Sequence, residues 1–285
     1  MTTINEELNG HTGTWCPGCG DWGISLSIKR AFTELNLDPS SVVVMFDIGC
    51  SGNMNDVLNA YAMHTLHGRS IPPAMGVKLA NHTLPVVCIG GDGAIFGEGG
   101  NHFLHACRGN HDITVIMHDN SVYGLTTGQV APTALHGAVS KSTPQGVIEI
   151  PINPLHFAIQ AGAGFVAQSF AGDTKHVTEM IKQGIAHKGF SFVNVLQPCV
   201  TFNKVNTYQY YAQRTYKLDE THEKSNFRKA ISESINMTEE KYPLGVIYED
   251  DRPAYHQQIK QLSADQPLVA KERFTDFQQL LNDFE

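Results

Sequence analysis

Gly91-Asp92-Gly93, with Asn120 following the next apolar run, places hard oxygen ligands beside a glycine turn. Glycines let backbone N–H groups close on a phosphate, and a helix starting just beyond adds its N-terminal dipole. The Asp92 carboxylate, the Asn120 amide oxygen and the Val122 main-chain carbonyl form a set suited to Mg²⁺. That ion takes one or two such groups together with phosphate oxygens and water. A second set is sulfur: Cys16 and Cys19 in WCPGCGDWG, Cys50 in DIGCSGN and Cys199 in LQPCVTFN. Four thiolates fit a Cys₄ iron–sulfur cluster or a Cys₄ zinc site. The Cys-x-x-Cys pair alone does not separate the two. Structural zinc usually takes two local pairs, whereas Cys50 and Cys199 are single and distant. Cys50 also lies beside the expected phosphate site, where a redox cluster has a use and a structural zinc has none. Cys88 and Cys107 read as small buried hydrophobes.

The elements that must position these groups alternate. Apolar, β-rich runs at 41–49, 84–93, 113–120, 165–170 and 190–198 are separated by helical patterns at 22–36, 54–66, 72–80, 98–109, 154–163 and 174–188. This alternation predicts an α/β fold, a doubly wound, mostly parallel sheet with helices on both faces. VVVM and PVVCI lack polar alternation, as strands buried on both sides do. Ligands of such sheets bind beyond the carboxyl ends of the strands. The turns DIGCSGN, GGDGAIFGEGG, HDNSVYGLTTGQ and QPCVTFN therefore converge on one edge. Residues 126–153 read as one long loop, a length that usually marks function. After about residue 206 the composition shifts. The division expected is a cofactor domain over 1–205 and a C-terminal extension over 206–285 that packs on the main body or on a partner. The extension holds a polar helix candidate at 220–240, a strand in PLGVIYED and an amphipathic helix at 271–285.

Of the 285 residues, 41% are hydrophobic and 17% charged, with a formal net charge of −8. This is globular composition. The absence of a Lys/Arg run argues against a nucleic-acid surface. No apolar run approaches the ~20 residues of a spanning helix, and MTTINEELNG has no leader character. The expectation is a cytoplasmic protein with no membrane and no nucleic-acid partner.

Gly-Asp-Gly after one strand, with Asn-x-x-Tyr-Gly after the next, resembles the thiamine-diphosphate-binding motif. Residues 12–205 resemble, in the order and spacing of WCPGCGDWG, DIGCSGN, HTLHGRSIPPAMGVKLAN, GGDGAIFGEGGNHFLHACRGN, DNSVYGLTTGQVAPT and LQPCVTFN, the β subunit of 2-oxoacid:ferredoxin oxidoreductases. The resemblance implies a [4Fe–4S] cluster on Cys16, Cys19, Cys50 and Cys199, and Mg²⁺ on Asp92, Asn120 and the Val122 carbonyl. It implies thiamine diphosphate contacts from Ile48, Gly49, Cys50, Ser51, His67, Gly91, Asp92, Gly93, Ala94, Gly124 and Leu125. The implied reaction is coenzyme A-dependent oxidative decarboxylation of a 2-oxoacid such as 2-oxoglutarate or pyruvate. Electrons pass through the cluster to ferredoxin, and the reaction is reversible in principle. No side chain of this chain stands out as its acid–base catalyst. The Glu that activates the aminopyrimidine is expected on a separate α subunit, which holds the pyrimidine-binding domain. The chain departs from many members at Ala94, where an acid is common, and at Asn53 and Thr127, where cations help read the substrate. The last two are weak substrate-pocket candidates. Glu98 reads as a solvated or interface residue. Two other readings compete: the diphosphate-binding subunit of a non-redox thiamine decarboxylase or synthase with a Cys₄ zinc staple, and a non-catalytic electron-transfer protein.

Overall fold

Within the strand Val43–Phe46, Val44 and Phe46 pack into one apolar core, and Val43 and Met45 into another. Successive side chains of a strand point to opposite faces, so a run with no polar residue must be covered on both sides. The computed structural model describes residues 3–262, 266–271 and 277–282. Its elements in chain order begin α1 (Gly20–Glu34), β1 (Val43–Phe46), β2 (Tyr61–His64), α2 (Ile71–Ala80), β3 (Val86–Gly91), α3 (Gly100–Gly109) and β4 (Thr114–Asp119). They continue with β5 (Val122–Tyr123), β6 (Gln129–Val130), α4 (Pro154–Ala161), β7 (Phe165–Phe170), α5 (Thr174–Ala186) and β8 (Ser191–Leu196). After these come α6 (Tyr208–Arg214), β9 (Thr215–Lys217), α7 (Phe227–Ile235), β10 (Tyr242–Glu249) and α8 (Phe277–Asn282).

The main sheet has the order β2-β1-β3-β4-β8-β7-β10-β9. It is parallel from β2 to β7, and β10 joins antiparallel to β7. One core holds Ile24, Ile28 and Phe32 of α1 and Val177 and Ile181 of α5. The other holds Ala74 of α2, Phe103 and Ala106 of α3, and Leu155 and Ile159 of α4. The α/β doubly wound architecture expected from the alternation is what forms. Local chemistry fixes the helix ends. The Asn153 side chain accepts the His156 N–H at 3.1 Å, Pro154 opens α4, and Gly162 closes it at φ 87°, the usual division of roles between a polar N-cap, a first-turn proline and a left-handed C-terminal glycine.

Two expectations need correction. The helix read at 54–66 is absent. One 3₁₀ turn, Gly52–Asp56, is followed by β2, which pairs in parallel with β1 from Val43↔Tyr61 to Phe46↔His64. All four β2 residues are exposed. The apolar residues of that stretch therefore do not mark a helix face; β1 needs a partner for its outer edge, and β2 supplies one. Second, the loop read at 126–153 is not wholly irregular, because β6 pairs back onto β5. The C-terminal residues add β9 and β10 to the sheet and seat α7 against α4 and β10. The strand in PLGVIYED is β10, and the helix read at 220–240 is α7 followed by a 3₁₀ turn. Of the helix read at 271–285, α8 is described and residues 272–276 and 283–285 lie outside the described residues. Among the described residues no helix is long and apolar enough to cross a membrane.

Candidate functional site

Strands β1, β3, β4 and β8 lie side by side and parallel, so their carboxyl ends meet at one edge. The turns after them carry Ile48–Ser51, Asp92–Ala94, Asn120–Leu125 and Cys199. A cleft of about 590 Å³ opens there. Its wall contains every residue expected to touch the cofactor: Ile48, Gly49, Cys50, Ser51, His67, Gly91, Asp92, Gly93, Ala94, Asn120, Val122, Gly124 and Leu125. Asn53 and Thr127 are not in that wall. Asn53 lies in the 3₁₀ turn after Ser51, Thr127 is exposed at φ 75°, and Thr126 lines the cleft instead.

Asp92 is buried at the floor. Its Oδ2 accepts the Ser121 N–H at 2.7 Å and the Thr133 hydroxyl at 2.5 Å, and its Oδ1 accepts the Gly93 N–H at 2.9 Å. Ser121 reaches it because its φ is 63°, which reverses the chain between Asn120 and Val122. Burial pushes the Asp92 carboxyl well above its ordinary value, and the neighbouring charge of Asp119 pushes it further. Burial also raises Asp119. Two buried carboxylates side by side favour a bound cation. The Asn120 Oδ1 accepts the Val122 N–H at 3.0 Å, which fixes the amide beside Asp92. Two buried polar atoms in the cleft wall, Ser51 Oγ and His118 Nε2, have no hydrogen-bond partner among the described residues. A polar group entering the cleft would satisfy them, and a diphosphate is one that fits. Gly93 has no room for a side chain, since a Cβ would strike the Tyr123 ring.

The four cysteines of the expected cage share one neighbourhood. The Cys50 thiol is pushed up to about 12 by burial first, then by the charges of Asp21, Cys199 and Cys16. Cys19 is raised by burial, by Asp21 and by Cys199. Metal ligation requires these thiols to lose their protons, so assembly and proton release are coupled. Trp15 Nε1 donates to the Cys50 carbonyl at 2.7 Å and Trp22 Nε1 to the Cys16 carbonyl at 3.1 Å, so the two indoles brace the cysteine loops. Among the described residues no three His, Cys, Asp or Glu side chains close on a single ion. A [4Fe–4S] cage asks for less, because each thiolate binds its own iron around a shared volume. Cys88 and Cys107 are fully buried in the core away from this group.

Several residues of the site carried no signal in the sequence. Asp47 is fully buried; its Oδ1 accepts the N–H groups of Ile48 and Gly68, both at 2.8 Å, and its Oδ2 that of Ser70 at 3.1 Å. It ties the turn after β1 to the segment carrying His67. His67 itself stands between Asp47 and Glu98, at 3.2 and 3.1 Å. Glu98 also receives the Tyr123 hydroxyl, so it is pinned at the cleft mouth. Asp21, His118 and Gln197 form a buried polar group beneath the cleft, with Asp21 Oδ1 and His118 Nδ1 2.6 Å apart. An acid directly after an apolar strand, as in MFD and MHD, was the one available hint.

The sheet and its cleft define a thiamine-dependent enzyme fold. Residues 47–195 match the family described as "Thiamine pyrophosphate enzyme, C-terminal TPP binding domain". Residues 199–264 match the family described as the C-terminal part of the pyruvate ferredoxin oxidoreductase beta subunit. The 2-oxoacid:ferredoxin oxidoreductase subunit beta of Saccharolobus solfataricus is 43% identical over 277 residues, 92% of this chain and 89% of that protein. The 2-oxoglutarate synthase subunit KorB of Archaeoglobus fulgidus is 40% identical, over 67% of this chain and 71% of that one. A solved 2-oxoglutarate:ferredoxin oxidoreductase from Magnetococcus marinus, with 2-oxoglutarate, coenzyme A and succinyl-CoA bound, superposes with a TM-score of 0.91 at 34% identity. It covers 100% of this chain and 97% of that one. The chain belongs to the β subunits of the 2-oxoacid:ferredoxin oxidoreductases, and so to an oxidoreductase enzyme that uses thiamine diphosphate.

Proposed function

We propose that this chain is cytoplasmic, holds thiamine diphosphate, Mg²⁺ and one [4Fe–4S] cluster, and with an α subunit oxidises a 2-oxoacid to its acyl-CoA while reducing ferredoxin. The observation that carries this reading is the position of Cys50. It lines the cofactor cleft and also feels the charges of Cys16 and Cys199. One residue thus belongs to both the oxygen-ligand site and the sulfur cage.

Asp92, Asn120 and the Val122 carbonyl would hold Mg²⁺, whose charge neutralises a diphosphate. Cys16, Cys19, Cys50 and Cys199 would hold the cluster, which accepts electrons singly. Thiamine diphosphate, when bound, supplies the carbanion chemistry that decarboxylation needs. The protein's own residues fix positions. Asp47 locks the Ile48–Ser51 turn against His67, and Asp92 locks Ser121 and Thr133. Buried Ser51 and His118 offer polar atoms to the ligand.

The relatives named for 2-oxoglutarate make that acid the first substrate to try. The test is anaerobic reconstitution with the α subunit. Candidates are 2-oxoglutarate, pyruvate and branched-chain 2-oxoacids, each assayed for coenzyme A-dependent ferredoxin reduction. At least one should reduce ferredoxin only when coenzyme A is present. A complex holding both cofactors that reduces ferredoxin with none of them overturns the reading.

A further inference from the structure

Gln197 follows β8 and is buried. Its backbone N–H extends the sheet pairing to the Asp119 carbonyl at 2.8 Å, which fixes where the side chain starts. The side-chain Nε2 lies 3.3 Å from Cys19 Sγ and 3.1 Å from Asp21 Oδ2. The Oε1 accepts the Asn120 Nδ2 at 2.9 Å. The orientation of both amides follows from their partners. A carboxylate only accepts, so the NH₂ of Gln197 faces Asp21. Asn120 uses its oxygen for the Val122 N–H, so its NH₂ faces Gln197. One side chain therefore touches a sulfur of the expected cage at one end and an expected magnesium ligand at the other. Asp21 is held in turn by His118, which lines the cleft.

We infer that Gln197 is a positioning residue that links the two cofactor sites, so that thiamine diphosphate occupancy and cluster potential depend on each other. This rests on the function proposed above. An N–H donor to a ligating sulfur disperses its charge and favours the reduced cluster. The same amide holds the Asn120 NH₂, and so keeps the Asn120 oxygen turned toward Val122. A cation at Asn120 polarises the hydrogen-bonded amides, and the polarisation reaches the sulfur through Gln197. Linkage makes the effect reciprocal: reduction of the cluster alters thiamine diphosphate affinity by the factor by which the ligand alters reduction.

The experiment uses the anaerobic αβ holoenzyme. Iron content, retained thiamine diphosphate and the cluster midpoint by EPR-monitored titration are measured with and without Mg²⁺ and thiamine diphosphate. In the parent protein, loading should shift the midpoint. Gln197→Met removes donor and acceptor at similar size. It should lower the midpoint, weaken thiamine diphosphate retention about tenfold and abolish the loading shift. Gln197→Glu keeps an acceptor for Asn120 and replaces the amide NH₂ with a carboxyl that shares one proton with the facing Asp21 carboxylate, so the N–H donor to Cys19 Sγ is lost. It should lower the midpoint while retention stays near the parent's, and it decides the matter if Gln197→Met does not assemble. Full iron with an unmoved midpoint and an intact loading shift in these variants overturns the inference, even if they melt earlier, because that is all a merely structural role would give. A parent complex lacking iron or thiamine diphosphate contradicts the proposed function instead.

Discussion

Asp47 Oδ1 stands 3.2 Å from His67 Nδ1, and the same oxygen accepts the N–H of Gly68 at 2.8 Å. One buried carboxylate thus sets the turn that carries Cys50 and the segment that carries a cleft residue twenty positions later. Asp47→Ala strips acceptors from three backbone N–H groups in a buried place, where each unmet donor costs about 1–3 kcal/mol. The variant should lose about 3 kcal/mol or more in denaturant unfolding, and Asp47→Asn, which keeps one acceptor oxygen, clearly less. A loss below about 1 kcal/mol for the alanine variant would show that the turn is held by other contacts.

Asp92→Asn preserves an oxygen acceptor and removes the charge that draws a cation. The fold should persist, and Mg²⁺-dependent retention of thiamine diphosphate should disappear in equilibrium dialysis. Thr133→Val removes the 2.5 Å hydroxyl contact to Asp92 and should weaken retention by about tenfold, as loss of an outer partner does. Parent-like affinity in Asp92→Asn would remove Asp92 from the metal site.

His111 gives the fold a pH dependence on the acid side. Its ring stacks on Tyr255 with centroids 4.2 Å apart, and burial, helped by the charge of His256, lowers its pKa to about 4. An unfolded histidine titrates near 6.5. Between those values the unfolded chain holds the proton and the folded one does not, so stability is full above about pH 6.5 and falls toward pH 4. One extra proton taken up on unfolding corresponds to a slope of about 1.4 kcal/mol per pH unit. His111→Phe keeps the stack and should flatten the slope in chemical denaturation between pH 6.5 and 4. An unchanged slope would assign it to other buried histidines.

What was legible in the sequence follows from physics that acts locally. Strands buried on both faces must be apolar, and turns that hold ligands must carry glycine, acids or cysteine. Hence β1, β3, β4, β8 and the turns carrying Cys50, Gly91, Asp92, Gly93 and Asn120 could be read from their own segments, whereas Ile48, His67, Ala94 and Leu125 came only with the family resemblance. β2 could not, because its four exposed residues form a strand only through pairing with β1. Asp21 and Gln197 were likewise silent, and Asp47 offered only the hint of an acid directly after an apolar strand. Each acts through partners brought close by the sheet, as Gln197 does in meeting Cys19 and Asn120. The aromatic stretch 208–216 falls in the extension expected to pack on the main body or on a partner, but nothing in its own residues names Phe170 and Tyr242 as the rings that bury Tyr211.

The central claim is that Cys16, Cys19, Cys50 and Cys199 hold a four-iron cluster beside a thiamine site. The most direct measurement is iron, zinc and thiamine diphosphate content of the αβ complex purified without oxygen, for the parent and for Cys199→Ser. The parent should be brown, with about four iron atoms and one thiamine diphosphate per β chain, and Cys199→Ser should lose iron. A colourless, zinc-loaded parent would contradict the account, and unchanged iron in Cys199→Ser would remove that residue from the cage.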